Sequence, residues 1–128
     1  MDTYTLVRTE HLNHQGKLFG GQLLQWVDEC AWLAAARDYC GSVLVTRAMD
    51  NSEFRHGVVN GSILRFLLER LRVGTTSVLS SGDVSADRPG TDSEILIFSN
   101  RVTFVSVDEN GNKTPLVHKA NCGKKAKA

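Results

Sequence analysis

Residues 18–39 read LFGGQLLQWVDECAWLAAARDY and form the longest stretch of the chain with helical spacing of apolar side chains. At 3.6 residues per turn this is a helix of about six turns with one wide apolar arc. The arc consists of Leu23, Leu24, Val27, Cys30, Ala31, Ala34 and Ala35. Its flanks carry Trp26, Trp32 and Leu33. A helix this apolar around its circumference is predicted to be wrapped by the rest of the fold.

Two features of this helix point to chemistry. Asp28 falls at the rim of the apolar arc, where a carboxylate needs a partner or a cleft. Gly20 and Gly21 stand at the N-terminal end, where glycine lets a ligand approach free N–H groups at the positive end of the helix dipole. Together they suggest an anion or carbonyl site facing a carboxylate. The plain alternatives for Asp28 are a solvated surface residue or an ion pair with Arg37 or Lys17, and the plain alternative for the glycines is an ordinary turn.

The composition is that of one ordinary globular domain. The 128 residues carry a formal net charge of +1 with 23% charged residues, which predicts neither a nucleic-acid nor a membrane-surface binder. No apolar run reaches about 18 residues and no charged-then-apolar leader is present. The expected location is the cytoplasm.

Residues 1–118 are predicted to form the single domain, and residues 119–128, KANCGKKAKA, a basic disordered tail. The three cysteines show neither a disulfide framework nor metal-ligand spacing. His11 and His14 have no acidic or cysteine ligand at a recognisable spacing, so no metal site is predicted.

After the helix the apolar period changes from 3.6 to 2. Strands are predicted over residues 3–8, 43–54, 62–73, 75–86 and 94–108. The segment 62–73, SILRFLLERLRV, also fits a helix, but the glycines that bound it favour a strand. Asn110 and Gly111 predict a tight hairpin, after which residues 113–117 pair back briefly. Sequential strands without intervening helices predict an antiparallel sheet, curved around the helix, in an α+β fold.

Five short motifs follow one another along the chain. They are Asn13-x-x-Gly16-x-Leu18-Phe19-Gly20-Gly21, Asp28, Phe54-x-x-x-Val58-x-x-Gly61, Gly74-Thr75-Thr76-Ser77-Val78 and Val102-Thr103-Phe104-Val105-x-Val107-Asp108. In this order they resemble the hotdog-fold acyl-CoA thioesterases, the cytosolic acyl-coenzyme A hydrolase family, over about residues 5–115. The resemblance implies a long central helix wrapped by a curved antiparallel sheet of five to six strands.

The resemblance also implies a hydrolase of fatty acid metabolism that converts acyl-CoA to a carboxylic acid and coenzyme A. No cofactor is implied besides coenzyme A as part of substrate and product. The amides of Gly20 and Gly21 would polarise the thioester carbonyl and stabilise the tetrahedral oxyanion. Asp28 would act as general base toward water or as nucleophile on the carbonyl, and both routes stay open.

In this family the site lies between two subunits, so Asn13 would orient water or substrate beside Asp28 of the neighbouring chain. A homodimer is the implied minimum unit, and a trimer of dimers or a tetramer the larger assembly. The implied coenzyme A contacts are Gly74, Thr75, Thr76 and Ser77.

Arg55 and His56 fit phosphate or adenine contacts, or equally a solvated loop. The family often has a proline where this chain has Gly57 and an acidic residue where it has Ser62.

Two other functions fit the resemblance less well. A hotdog hydratase or dehydratase on acyl thioesters would need a catalytic histidine on or near the helix. Residues 18–39 contain none, but His11 and His14 precede the helix, so hydration of an enoyl-CoA discriminates between the two functions. A non-catalytic acyl-CoA-binding module would not need an ionised Asp28.

Overall fold

One long helix lies against a five-stranded sheet in the computed structural model, which describes residues 1–118 and 120. The strands are β1 (Asp2–Leu6), β2 (Val43–Phe54), β3 (Ile63–Val73), β4 (Ser77–Asp87) and β5 (Glu94–Val107), and the helix α1 spans Gly20–Asp38. A single turn of 3-10 helix covers Thr9–His11. The strand order is β1-β3-β4-β5-β2, and every neighbouring pair is antiparallel. The predicted α+β fold is confirmed.

The helix begins two residues later than predicted, because the chain before it is held in an extended form. Leu18 forms a β-bridge with Leu12 and donates its N–H to the Val58 carbonyl at 2.7 Å. Phe19 is the N-cap residue, with extended backbone angles and no side-chain cap. At the other end, the N–H of Tyr39 bonds to the carbonyl of Ala35 at 3.1 Å and closes the last turn.

Residues 62–73, which fit either a strand or a helix in sequence, contain strand β3. Leu64, Phe66 and Leu68 are buried beneath α1, with 0%, 0% and 3% of their surface exposed. β3 pairs with β1 on one side and β4 on the other. A helix here would lose the hydrogen bonds to both neighbouring strands and would turn the alternate side chains away from the core.

The core lies between α1 and the inner face of the sheet. The helix contributes Leu23, Val27, Ala31 and Ala35, and the sheet contributes Phe66, Phe98 and Phe104, among others. Burying one such large apolar side chain contributes about 1.5–3 kcal/mol. Trp32 and Leu33 nevertheless stay 41% exposed. One protomer therefore leaves part of the apolar helix surface uncovered.

Gly82 on β4 is the tightest glycine of the core. A Cβ atom there would lie 2.9 Å from Asn100 Oδ1 and 3.2 Å from Val27 Cγ1. Because overpacking strains a close-packed core, Gly82→Ala is expected to lower the free energy of unfolding by about 1–3 kcal/mol in urea denaturation. Ser81→Ala, on the half-buried outer face, is the control and should shift it by less than about 0.5 kcal/mol. Equal midpoints for both variants would contradict this packing.

The predicted boundary at residue 118 stays a prediction, because residues 119 and 121–128 lie outside the described part of the chain. Cys40, just past α1, is disulfide-bonded, which the odd number of cysteines did not suggest, whereas Cys30 is free. In the described ranges, no helix is both long enough and apolar enough to cross a membrane. The cytoplasmic location stays a prediction.

Candidate active site

The start of α1 presents free backbone donors. The first backbone hydrogen bond of the helix is donated by the Leu23 N–H to the Phe19 carbonyl, at 3.1 Å. The N–H groups of Gly20, Gly21 and Gln22 therefore have no acceptor among the described residues. A Cβ at Gly21 would meet nothing within 4 Å, so this end of the helix is open to a ligand.

Asp28 lies half-buried on the flank of α1 that faces β2. Its Oδ1 accepts a hydrogen bond of 2.6 Å from the hydroxyl of Thr46. This bond fixes the orientation of the carboxylate. The ion pairs with Arg37 or Lys17 that the sequence allowed do not form, because the helix turns Asp28 toward the sheet edge.

Asn13 shapes the loop that precedes the helix. Its Oδ1 accepts hydrogen bonds from the backbone N–H groups of Gln15, at 2.9 Å, and Lys17, at 3.2 Å. Its own N–H bonds to the Lys17 carbonyl at 2.7 Å. The carbonyl oxygen of this side chain is thus used within the loop, and its Nδ2 group has no partner in residues 1–118. Any donation to water or substrate comes from that nitrogen.

The segment 74–77 comprises the turn between β3 and β4, residues 74–76, and Ser77, the first residue of β4. The N–H of Gly74 bonds to the Ser77 carbonyl at 2.8 Å. Ser77 stands opposite Val105, which pairs with Val45 near the start of β2. The helix start lies at the other end of the sheet, since a Cβ at Gly20 would be 3.4 Å from the ring of Phe54. One protomer does not bring the two predicted parts of the site together.

Arg55 and His56 follow β2, on the same side as the helix start. The guanidinium of Arg55 forms a 3.1 Å salt bridge with Glu53 and is 40% exposed. His56 is exposed and lines a small niche with Gly57 and Arg88. Val58 also lines this niche, and its carbonyl accepts the hydrogen bond from the Leu18 N–H.

Among the described residues, neither the free cysteine nor a set of metal ligands offers a competing centre. Burial among apolar side chains, and to a smaller extent the charge of Glu29, raises the pKa of the Cys30 thiol. The protonated thiol is a weak nucleophile. Over residues 1–118 and 120, no group of three or more histidine, cysteine or acidic side chains could hold a metal ion.

Thr46 is the residue that the sequence analysis missed. A threonine in a strand is ordinary, and nothing in the spacing of 43–54 distinguishes it. The pairing of β2 with β5 shifts register between Thr46 and Ala48, a bulge next to the bond with Asp28. Only the packing of the helix against this strand shows the contact.

Comparisons with known proteins agree with this architecture. Residues 15–92 match the family model of the thioesterase superfamily, more than half of the chain. An uncharacterized acyl-CoA thioester hydrolase of Bacillus subtilis (strain 168) is 30% identical over 104 residues, which cover 81% of this chain and 60% of that protein. Acyl-coenzyme A thioesterase 11 of Mus musculus is 42% identical over 59 residues, covering 46% of this chain and 10% of that protein. The chain thus spans less than two thirds of either relative.

Among solved structures, a hexameric hotdog fold thioesterase of Campylobacter jejuni superposes with a TM-score of 0.79 and 31% identity. The match covers 89% of this chain and 87% of that one. The sequence motifs, the helix wrapped by an antiparallel sheet and the family match all agree. The chain therefore belongs to the thioesterase superfamily and has the hotdog fold.

Proposed function

We propose that the protein hydrolyses acyl-CoA thioesters to a carboxylic acid and coenzyme A. The observation that carries the proposal is the pair of chemical groups on α1. Three free N–H groups open its N-terminus, and Asp28 is oriented by the Thr46 hydroxyl on the flank facing β2. These are the donors and the carboxylate that acyl transfer from a thioester requires.

The helix N–H groups and Asp28 of one chain serve two different reaction centres. At 1.5 Å rise per residue, Asp28 lies about 12 Å along the helix from Gly20. A base or nucleophile must come within hydrogen-bond reach of the reacting atoms. One chain therefore cannot serve one carbonyl with both groups, and the second must come from a partner chain.

The edge of β2 is the surface on which we place that partner. Within the described part of the chain, this twelve-residue strand has no neighbour on its outer edge, and it exposes Val43, Val45 and Phe54 by 65%, 42% and 52%. Antiparallel pairing of two β2 strands would set the start of one beside the end of the other. That arrangement brings Asp28 and the segment 74–77 of one chain toward the helix start of its partner.

The chemistry then runs in the proposed composite site. The helix N–H groups hold the thioester oxygen and stabilise the negative charge that develops on it. The partner's Asp28 either takes a proton from attacking water, or attacks the carbonyl itself and forms an acyl–Asp anhydride that water then hydrolyses to the carboxylic acid. In both routes the carbon–sulfur bond breaks and the thiolate takes up a proton and leaves as coenzyme A. Asn13 Nδ2 is available to orient the water or the substrate. The homodimer is the minimum active unit, and three such dimers would form a hexamer.

The activity is tested by measuring free thiol released from a panel of acyl-CoA esters with a thiol reagent. We expect steady release that scales with protein concentration. Binding of acyl-CoA without thiol release would identify a non-catalytic binding module instead. Hydration of an enoyl-CoA, followed by absorbance, would identify a hydratase.

Thr46→Val keeps the shape of the side chain but removes the donor to Asp28. We expect kcat for acyl-CoA hydrolysis to fall about tenfold, because a charge-assisted hydrogen bond that orients the carboxylate is lost. Thr46→Ser restores the hydroxyl and should recover most of the rate. If valine and serine gave equal rates, the hydroxyl would have no part in positioning Asp28.

A further inference from the structure

A cavity of about 310 Å³ lies beneath the last turns of α1, between the helix and strands β3 and β4. The space exists because the helix presents alanines here, whereas Leu23 and Val27 fill the same interface nearer its start. The apolar part of the wall consists of Met1, Ala34, Ala35, Leu68 and Val78. The volume is at the lower end of the range of about 300–1,000 Å³ that is typical of small-molecule sites.

The cavity is separate from the groups assigned to the reaction. Asp28 lies on the flank of α1 that faces β2, about 17 Å along the helix from Tyr39, which lines the cavity. Neither Asp28, nor the glycines at the helix start, nor the segment 74–77 contributes to its wall. A molecule held here therefore does not contact the groups that act on the thioester.

Two buried hydroxyl groups line this cavity with unused hydrogen-bonding capacity. Ser80 is 6% exposed, and its hydroxyl has no partner in residues 1–118. Tyr39 is 5% exposed, and its oxygen accepts a 3.4 Å hydrogen bond from Arg70, but its own O–H has no acceptor in the same residues. Because buried polar groups cost free energy when they stay unpaired, these hydroxyls indicate a polar ligand.

Arg70 brings positive charge to the same two hydroxyls. It stands directly opposite Ser80 in the pairing of β3 with β4, and its guanidinium reaches the oxygen of Tyr39. Its salt bridge with Asp38 is long, at 3.9 Å, and its side chain is 49% exposed. Arg70, Ser80 and Tyr39 are therefore one cluster of donors at the cavity wall.

The charges around the cavity favour an anion. Arg37, at the mouth, is exposed and has no acidic partner within the described part of the chain. Glu69 stands opposite Ser81, and the alternation of β3 directs its side chain to the outer face of the sheet. Asp38 is the one carboxylate left, and it already contacts Arg70. A guanidinium pairs best with a planar anion such as a carboxylate.

We propose that this cavity is a second site, distinct from the reaction centre, which binds an aliphatic carboxylate. The carboxylate accepts hydrogen bonds from Arg70, Ser80 and Tyr39, and the charge of Arg37 adds to the attraction at the mouth. The chain of the ligand lies along the alanines of the helix and Leu68. A carboxylic acid is also the product of the proposed hydrolysis, so the identification of the ligand as product rests on the proposed function.

The first test is the calorimetric titration of octanoate into the protein, with octanol as the uncharged counterpart. Octanoate has the headgroup and the short apolar chain that the cavity offers to a ligand. We expect its Kd to be at least about tenfold lower than that of octanol, because only the carboxylate pairs with the guanidinium groups. Octanol binding as tightly as octanoate would overturn the site.

The double variant Arg37→Met/Arg70→Met removes the two cations of the site. We expect its Kd for octanoate to rise about tenfold, while thiol release from acyl-CoA stays near that of the unchanged protein. The matched control is Arg72→Met/Arg101→Met, which removes two exposed arginines that do not line the cavity. It should change the Kd by less than about twofold. Equal Kd values in the two double variants would overturn the site.

Ala34→Leu fills the apolar part of the cavity without changing its charge. We expect the Kd for octanoate to rise about tenfold or more, because the added carbons occupy the space of the ligand chain. Ala36→Leu, at a half-buried helix position outside the cavity wall, is the control and should bind octanoate normally. Thermal unfolding of both variants reports whether they fold. If Ala34→Leu does not fold, the arginine variants decide, since they change only exposed side chains.

Failure of this site and failure of the proposed hydrolysis are seen separately. If the unchanged protein releases thiol but does not bind octanoate, the hydrolysis stands and the second site is overturned, because the cavity then holds only water. If the protein binds octanoate through Arg37 and Arg70 but releases no thiol from any ester, the second site stands and the hydrolysis does not.

Discussion

Asp28→Asn is expected to lower acyl-CoA hydrolysis by about 10²-fold or more, the usual loss when a general base is removed. The substitution keeps the volume of the side chain, and the amide oxygen can still accept the 2.6 Å hydrogen bond from Thr46. Folding and coenzyme A affinity should therefore change little. Thiol release gives the rate, urea denaturation the stability, and calorimetry the affinity.

Glu29→Gln is the matched control for this substitution. Glu29 is the next residue on the helix, is exposed, and loses the same charge. It should keep nearly full turnover. If Asp28→Asn also stayed folded and turned over normally, the catalytic assignment would be wrong, and Asn13 or His14 would be the next candidate for activating water. Unfolding of the variant would instead mark the carboxylate as a structural partner.

The second large effect is expected at the free edge of the sheet. Val43→Lys/Val45→Lys places two charges on β2, where edge charges oppose strand pairing between chains. We expect the dimer dissociation constant to rise by about 10²-fold, the size of loss that central apolar interface residues show. Hydrolysis should fall in parallel at low protein concentration and recover partly at high concentration. Light scattering and activity, measured over one dilution series, report both quantities.

The other edge strand provides the control. Tyr4 and Leu6 on β1 are 59% and 44% exposed, much like Val43 and Val45 on β2. Tyr4→Lys/Leu6→Lys should leave a dimer with normal turnover. A fully active monomer in the β2 variant would refute a site shared between two chains.

The sequence predicted the main elements because their patterns are local. The apolar side chains of residues 18–39 recur with a period of 3.6. The helix starts later than predicted only because the segment around Leu18 is extended and forms a β-bridge. The span Val43–Phe54 is the strand that was predicted. For residues 62–73, the apolar pattern alone fits both a helix and a strand. The glycines that bound this segment correctly favoured the strand.

The contacts of the candidate site were less predictable because they join distant parts of the chain. The bond from Thr46 to Asp28 depends on how the helix sits on β2. The Lys17 side chain passes 3.2 Å from the position that a Cβ on Gly57 would occupy, and this contact joins two loops that meet only in the fold. Asn13 has a structural role that its motif did not indicate. Besides its implied catalytic role, it stabilises the loop that precedes the helix. The roles of the site residues stay predictions until the variants are measured.

The strand order also determines how the chain can fold. β3, β4 and β5 follow one another and pair across short turns, whereas β2 must pair with β5 far along the chain, Val43 opposite Val107. Closing a longer loop costs more entropy, so we expect the β3–β4–β5 meander to form before β2 docks. Pulse-labelled hydrogen exchange should then show protection in β4 before β2. In that interval the apolar edge of β5 is bare, so refolding yield should fall as protein concentration rises.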